Sequence, residues 1–283
     1  MTTVDLHLHS TASDGTDSPT ELLAKARALP LAVFAVTDHD TIDGAAQLLQ
    51  TAPQNDNLIC GAEFSCKTEA GKCHILGYGF APDAPSIIQL TGYLRKMRRQ
   101  KLEKRLLYLK ETYGIVFADA QLQPLYALPS AGKPHIARLL IQNGYAQTVS
   151  EAIQTYLTGQ RLPDERIDAL RAIEAIRAGG GIAVWAHPLG GEGERLLTGD
   201  AFHVRLEALL QRGIQGLECF YSRYTMAQCV YLEQTAQEKG LCVSGGSDYH
   251  GSNKNIPMGQ LNADSQPVAP ERITLLQVLG VLK

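Results

Sequence analysis

Seven short polar blocks punctuate this chain, and nearly all stand at or just beyond the end of an apolar run. They are Val4-Asp5-Leu6-His7-Leu8-His9, Ser13-Asp14-Gly15, Thr37-Asp38-His39-Asp40, Gly61-Ala62-Glu63, Cys73-His74-Ile75, Ala186-His187-Pro188 and Ser247-Asp248-Tyr249-His250, and six of the eight histidines lie in them. The apolar runs Val4–Leu8, Ala32–Val36, Leu58–Gly61, His74–Tyr78, Ile182–Trp185, Gly216–Cys219 and Leu241–Gly245 read as strands. Helical patterns separate them. Ser18-Pro19-Thr20-Glu21 supplies an N-cap, a proline at the first helical position and an acidic first turn, opening a helix over Pro19–Leu29. Strand, helix and strand in repeated order predict parallel strands wrapped by helices.

In a parallel α/β barrel the C-terminal strand ends open on one face, where side chains distant in sequence converge. His7, His9, Asp38, His39, Glu63, His187, Asp248 and His250 are all expected there. His74 opens its strand instead, so either that strand runs antiparallel or His74 lies on the preceding loop. Imidazole and carboxylate are shared ligands of borderline and hard divalent cations. His7 and His9, two apart on a strand, fall on one face and can chelate one ion. Glu63 has two carboxylate oxygens and can bridge two. Asp14, in a Ser-Asp-Gly turn directly after His-x-His, joins them as a ligand. Such a set predicts a multi-metal hydrolytic site.

Length and composition leave room for this. The 283 residues suffice for one large barrel or two modest domains, and 45% hydrophobic with 19% charged residues is an ordinary globular balance. A net charge of −3 gives no overall field to gather nucleic acid, so any polynucleotide contact must come from a local patch. No apolar run approaches the ~18 residues of a membrane span, and no secretory pattern opens the sequence. The six cysteines show no C-x-x-C spacing, and Cys66 and Cys73, which flank a polar turn, read as free thiols. A cytoplasmic location is expected, with no membrane and no stable protein partner.

The rhythm breaks between Pro85 and Pro163, where helices are predicted over Ser86–Tyr113, Pro134–Asn143 and Ser150–Leu157. Residues 1–84 and 164–283 then form the metal-binding barrel, and 85–163 a helical insertion serving as a substrate cap. Its first helix carries Lys96, Arg98, Arg99, Lys101, Lys104 and Arg105, which are either a solvated face or, if the insertion lies over the site, partners for an anionic substrate. Asp38 and Asp40 either orient the ligand between them or form ordinary turns. His203 reads as a surface residue, and Tyr221 and Tyr224 either pack the rim or stack on a base.

H-x-H, S-D-G, T-D-H-D, G-x-E, a His before a Leu-Gly run, A-H-P and S-D-x-H, in this order, resemble the PHP (polymerase and histidinol phosphatase) superfamily across essentially the whole chain. Gly132-Lys133-Pro134-His135-Ile136-Ala137-Arg138 is similar to a segment of stand-alone PHP phosphoesterases, the 3′,5′-nucleotide bisphosphate phosphatases and 5′-3′ exoribonucleases. The resemblance implies a distorted (β/α)7 TIM-like barrel holding two or three divalent ions, Mn²⁺ first and Zn²⁺ or Fe²⁺ next. His7, His9, Glu63 and Asp248 would hold one ion, Glu63, His74 and His187 a second, and Asp14, His39 and His250 a third. It further implies phosphoester hydrolysis by a metal-activated hydroxide, with Glu63, Asp248 and His250 at the reacting centre. The expected substrate is a nucleotide 3′,5′-bisphosphate or a short oligonucleotide 5′ end, met by Lys133, His135, Arg138, Arg161 and Arg195. The alternatives are a histidinol-phosphatase-like phosphomonoesterase and a non-catalytic phosphate-binding module. The sequence departs from the bisphosphatase pattern after A-H-P, where Leu189-Gly190-Gly191 follows and the first basic residue is Arg195.

Overall fold

The computed structural model describes residues 3–29, 31–51, 57–160, 166–192 and 194–282. Eight strands form one sheet: β1 (Thr3–Leu8), β2 (Leu31–Val36), β3 (Leu58–Thr68), β4 (Gly71–Tyr78), β5 (Ile167–Asp168), β6 (Ile182–Trp185), β7 (Gly216–Tyr221) and β8 (Cys242–Gly246). The order is β1-β2-β3-β4-β6-β7-β8, with the two-residue β5 paired to β3 off this path. Neighbours are parallel except around β4, which runs antiparallel to both β3 and β6. The antiparallel alternative for His74 therefore holds. Reversal of β4 brings its beginning, rather than its end, towards the face where the other strands finish.

The sheet curls until its last strand reaches its first. Tyr249 accepts a backbone hydrogen bond from His9 N at 2.9 Å, and its own N–H reaches the His7 carbonyl at 3.3 Å. Gly246 makes this seam possible, because a Cβ there would overlap the Cβ of His7. The result is the distorted TIM-like barrel expected of the sequence. Leu6, Val36, Phe64, Tyr78, Val184 and Leu217 are among the buried residues of its core.

The helices are α1 (Pro19–Ala28), α2 (Asp43–Thr51), α3 (Pro85–Tyr113), α4 (Asp119–Ala127), α5 (Lys133–Gln142), α6 (Val149–Ala152, continuing as a π-helical turn over Ile153–Leu157), α7 (Ala169–Ala178), α8 (Asp200–Leu210), α9 (Met226–Glu238) and α10 (Leu275–Val278). Ser18 caps α1 as its sequence predicts, accepting from Glu21 N while Glu21 accepts from Ser18 N at 2.7 Å. α4 was hidden in the sequence by Pro124 inside it, a residue that ordinarily disfavours a helix interior.

α3 belongs to two cores. Ile87, Leu90 and Leu94 pack into the barrel, whereas Leu102 and Leu109 join Phe117, Ile136 and Leu140 in a separate apolar cluster formed by the helices after β4. Burying each such leucine contributes about 1.5–3 kcal/mol, so both halves of the helix are anchored. The face between the anchors carries Arg98, Lys101 and Arg105, at helical spacing.

Candidate metal centre

Glu63 is the hub around which the polar blocks meet. It lies within β3 rather than beyond it, because β3 runs on to Thr68 as one arm of a hairpin with β4. Its parallel pairing with β2 has nevertheless ended at Cys60, so the side chain still opens on the face where β2 stops. Its Oε2 lies 3.4 Å from Nε2 of both His7 and His9 and 2.9 Å from His39 Nδ1. Its Oε1 lies 2.9 Å from His74 Nδ1 and 3.0 Å from His187 Nε2. Asp248 Oδ1 stands 3.6 Å from His7 Nε2 and 3.3 Å from His9 Nε2. Asp14 Oδ1 is 3.3 Å from His250 Nε2, and its Oδ2 is 3.9 Å from His39 Nε2. Gly15 lets this turn close, since a Cβ there would overlap the His9 carbonyl.

Several of these atoms have no hydrogen bond. His7 Nε2, both ring nitrogens of His9, Asp14 Oδ1, His39 Nδ1 and Glu63 Oε2 are buried and unpartnered among the described residues. An unmade hydrogen bond at a buried polar atom costs about 1–3 kcal/mol, so a cluster of such atoms aimed at one another fits a bound cation. The donors group as His9, Asp14, His39 and His250; His7, His9 and Glu63; and His39, Glu63 and His74. Imidazole and carboxylate without thiolate fit borderline divalent cations.

Electrostatics prepare the donors. Burial pushes the Glu63 carboxyl upward, but His39, His74 and His7 outweigh it and hold it well below the usual range. Asp14 and Asp248 are likewise held ionised against burial, the first by His39 and His250, the second chiefly by Lys254. Burial lowers His9 and His74, leaving them neutral with a lone pair to offer. The backbone is strained in the same place: Asp40, His187 and Asp248 have φ of 57°, 30° and 59°. Left-handed conformation at such residues costs on the order of 1–3 kcal/mol each and collects at functional sites.

Supporting residues hold this constellation, and sequence reasoning passed over two of them, Glu218 and Lys254. Glu218, fully buried on β7, accepts from His7 Nδ1 at 2.7 Å and from His187 N at 2.6 Å. Tyr221 donates to Asp248 Oδ2 at 2.9 Å, and Lys254 reaches the same oxygen at 2.6 Å. Tyr221 and Tyr224 are fully buried, so they pack the rim and are not available to stack on a base. Asp38 accepts from Ser10 N, Ser10 Oγ and Ser13 Oγ, fixing the turn that presents Asp14. Asp40 takes Ser65 N and Arg98 Nε, both at 2.7 Å. His203 is exposed, its ring against the Tyr231 hydroxyl.

Beside the centre opens a cavity of about 330 Å³ that includes Asp14, His39 and His74 in its wall. Arg98, Lys101, Arg105, Lys133 and Arg166 bring positive charge to the same wall, where Asp40 is paired with Arg98 and Leu94, Met97 and Pro134 are apolar. Arg105 is nearly buried between Leu102 and Leu109, and burial with the neighbouring Arg98 and Arg166 pushes its guanidinium down to about 10. A second opening, about 570 Å³, lies over the centre itself: Glu63, His187, Asp248 and His250 join Asp14, His39 and His74 in its wall, with Val149, Ile153, Glu192, Glu194 and Lys254 around them.

The expected substrate contacts fare unevenly. Lys133 lies in the cationic cavity. Arg138 is half-buried near Asp14, with one unpartnered guanidinium nitrogen. His135 is turned elsewhere: its Nδ1 accepts from Gly132 N at 3.0 Å and its other partner is the Ser13 backbone, which ties α5 to the Asp14 turn. Arg195 is exposed and lines neither opening. The reason is the turn before it: Tyr224 accepts from Leu189 N at 2.8 Å and donates to the Gly190 carbonyl, while Arg223 donates to the Gly191 carbonyl. Arg161 lies outside the described residues.

A PHP domain matches residues 5–161 of the sequence. The chain belongs to the PHP family. A 5′-3′ exoribonuclease from Haemophilus influenzae is 35% identical to it over 87% of this chain and 89% of the relative. A phosphoribosyl 1,2-cyclic phosphate 1,2-diphosphodiesterase from Eggerthella lenta is 30% identical, over 89% of this chain and 96% of the relative. A 3′,5′-nucleoside bisphosphate phosphatase from Chromobacterium violaceum is 29% identical, with 88% of each chain covered. Among solved structures, one from Bifidobacterium adolescentis described as a metal-dependent phosphoesterase superposes with a TM-score of 0.80 at 27% identity, covering 96% of each chain. This PHP protein is a metal-dependent phosphoesterase, a hydrolase acting on phosphoric ester bonds. No helix among the described residues is long and apolar enough to cross a membrane.

Proposed function

We propose that this PHP protein hydrolyses a phosphoester of a nucleotide 3′,5′-bisphosphate or of a short oligonucleotide 5′ end. The observation that carries the reading is the cavity of Arg98, Lys101, Arg105, Lys133 and Arg166 directly beside the centre. A substrate with one phosphate needs no such second cluster of cations. In this reading His7, His9, Glu63 and Asp248 hold one ion, Glu63, His74 and His187 a second, and Asp14, His39 and His250 a third. Mn²⁺ is the first choice and Zn²⁺ or Fe²⁺ the next. Bound there, divalent ions supply Lewis acidity towards water and phosphoryl oxygens. Glu63, Asp248 and His250 face the reacting group, with Asp248 kept in place by Tyr221 and Lys254.

The chain's cations do the positioning. Lys133 and the guanidinium groups of α3 hold the phosphate that is not cleaved, so binding energy spent there orients the one that is. Residues 85–163 act as the cap that supplies this clamp, and His135 sets α5 against the Asp14 turn. The reading is tested by phosphate and nucleotide release from a panel of monophosphates, 3′,5′-bisphosphates, short 5′-phosphorylated RNAs and histidinol phosphate, with Mn²⁺ added. Bisphosphates or RNAs should lead in kcat/KM by roughly tenfold or more, a transition-state difference of about 1.4 kcal/mol. Preference for histidinol phosphate, or no turnover of any compound, rejects it.

A further inference from the structure

A second groove of about 540 Å³ lies on the outer side of α3, lined by Arg95, Lys96, Arg98 and Arg99 from that helix and by Leu125 to Pro129 and Ala131 opposite. It is separate from the metal centre, yet it shares Arg98 with the cationic cavity, and the two walls meet at consecutive residues Ala131 and Gly132. Resting on the reading above, we infer that this groove takes the downstream nucleotides of a single-stranded polynucleotide whose 5′ end lies in the metal centre.

Three observations carry it. The basic run of α3 divides by helical face, Arg98, Lys101 and Arg105 turning to the centre and Arg95, Lys96 and Arg99 to the groove, so positive charge continues from one to the other. No acidic residue lines the groove. Arg95 and Arg99 do carry outside carboxylate partners, Asp43 and Glu103, each at 2.7 Å through one nitrogen; Arg99 also donates to the Tyr126 carbonyl at 3.3 Å, and Arg98 is paired with Asp40 on the side of the centre. A guanidinium has five N–H donors, so edges remain for phosphate. Finally, the Arg99 guanidinium lies 3.5 Å from the Tyr126 ring centroid, and a planar cation stacked on an aromatic ring beside apolar Leu125, Leu128 and Pro129 is a platform for bases. Positive charge tracking a backbone, interleaved with stacking surfaces, is how single strands are held without sequence preference. A mononucleotide bisphosphate has nothing to place there.

The test separates binding from turnover. Fluorescence anisotropy in EDTA measures affinity for 5′-phosphorylated oligouridylates of two and six nucleotides at low and moderate salt, and hydrolysis of the same two is followed with Mn²⁺. The expected result is hexamer binding at least ~10-fold tighter than dimer binding, weakening with added salt as ion release requires. Lys96→Gln/Arg99→Gln should bring the two affinities together, whereas Lys110→Gln, on the same helix but off the groove, should leave the ratio unchanged. Equal affinity for both lengths in the wild-type protein, or an unchanged ratio in the double variant with an unaltered circular dichroism spectrum, overturns the inference even if both substrates are cleaved. Length-dependent binding lost in the double variant, without any hydrolysis, upholds the groove and rejects the catalytic reading instead.

Discussion

Lys254 Nζ lies 2.6 Å from Asp248 Oδ2, while the other oxygen of the same carboxylate faces His7, His9 and His250. The lysine therefore holds Asp248 from behind. Burial opposes its charge, but Asp248 outweighs burial and keeps the ammonium protonated. Removing a group that orients a ligand typically weakens metal binding by roughly 10–100-fold. Lys254→Met is expected to show a loss of that size in a Mn²⁺ titration while the protein stays folded. Unchanged affinity contradicts the role.

Glu63 and Asp14 are expected to differ in how much metal they hold. Glu63 meets five imidazoles, whereas Asp14 meets three, His250 at 3.3 Å and His9 and His39 at 3.9 Å. Elemental analysis of Mn²⁺-supplemented protein should find two to three ions per chain. Glu63→Ala should impair two of them and Asp14→Ala one. Equal losses in the two variants rule out the bridging assignment.

Lys133, in the wall of the cationic cavity, is proposed to supply a clamp charge. Burial lowers its pKa first, followed by Arg105 and Lys72, so it is poised to gain from a bound anion. Lys133→Ala should lower kcat/KM for a 3′,5′-bisphosphate by ~10-fold or more, equivalent to about 1.5–3 kcal/mol for a charge-assisted hydrogen bond. A monophosphate should suffer much less, and metal content should hold. Equal losses on both substrates would mean that the residue is structural.

In the metal-free protein His39 is pushed up to about 9; burial works against this, and Glu63 and Asp14 overcome it. An unfolded histidine titrates near ~6.5. The folded state thus binds this proton more tightly, so the stabilisation is complete below about pH 6.5 and is lost as pH rises through about 9. The wild-type melting temperature in EDTA should exceed that of His39→Ala most at the acid end of this window, with the difference shrinking across it. A difference that grows with pH contradicts the assignment. Mn²⁺ competes with the proton and should reverse the trend.

All six cysteines are buried and free, and Cys66 and Cys73 face each other across β3 and β4. Burial pushes the Cys60, Cys73 and Cys242 thiols up to about 12 and Cys229 to about 11. The thiolate is the reactive species. A disulfide reagent at about pH 8 should leave the native protein unlabelled over minutes and count six thiols in denaturant. Rapid labelling of even one in the native state sinks this.

The residues gathered around Glu63 were legible because their chemistry is local. His7 and His9 announce themselves by strand period, and Ser13-Asp14-Gly15 by its turn. Their supports were not, since the partner of His7 is 211 residues away at Glu218. The continuation of β3 past Gly61 was legible in the apolar–polar alternation of Ala62-Glu63-Phe64-Ser65-Cys66-Lys67 and was passed over because Glu63 was read as a strand-end residue. Arg195, the first basic residue after A-H-P, was expected to meet the substrate, yet the turn pinned by Tyr224 carries it away from both openings. The basic run of α3 could not be divided by face until its two leucine anchors were placed.

The seam between β1 and β8 sets the order in which the molecule can mature. His7 and His9 are made before Asp248 and His250, which they meet in the centre, and the Tyr249 backbone that locks them comes from the same later segment. A nascent chain ending before that point carries half a chelate and an open sheet. If these residues hold metal as proposed, loading waits for the segment after β8, and the ions would fasten β1 to it.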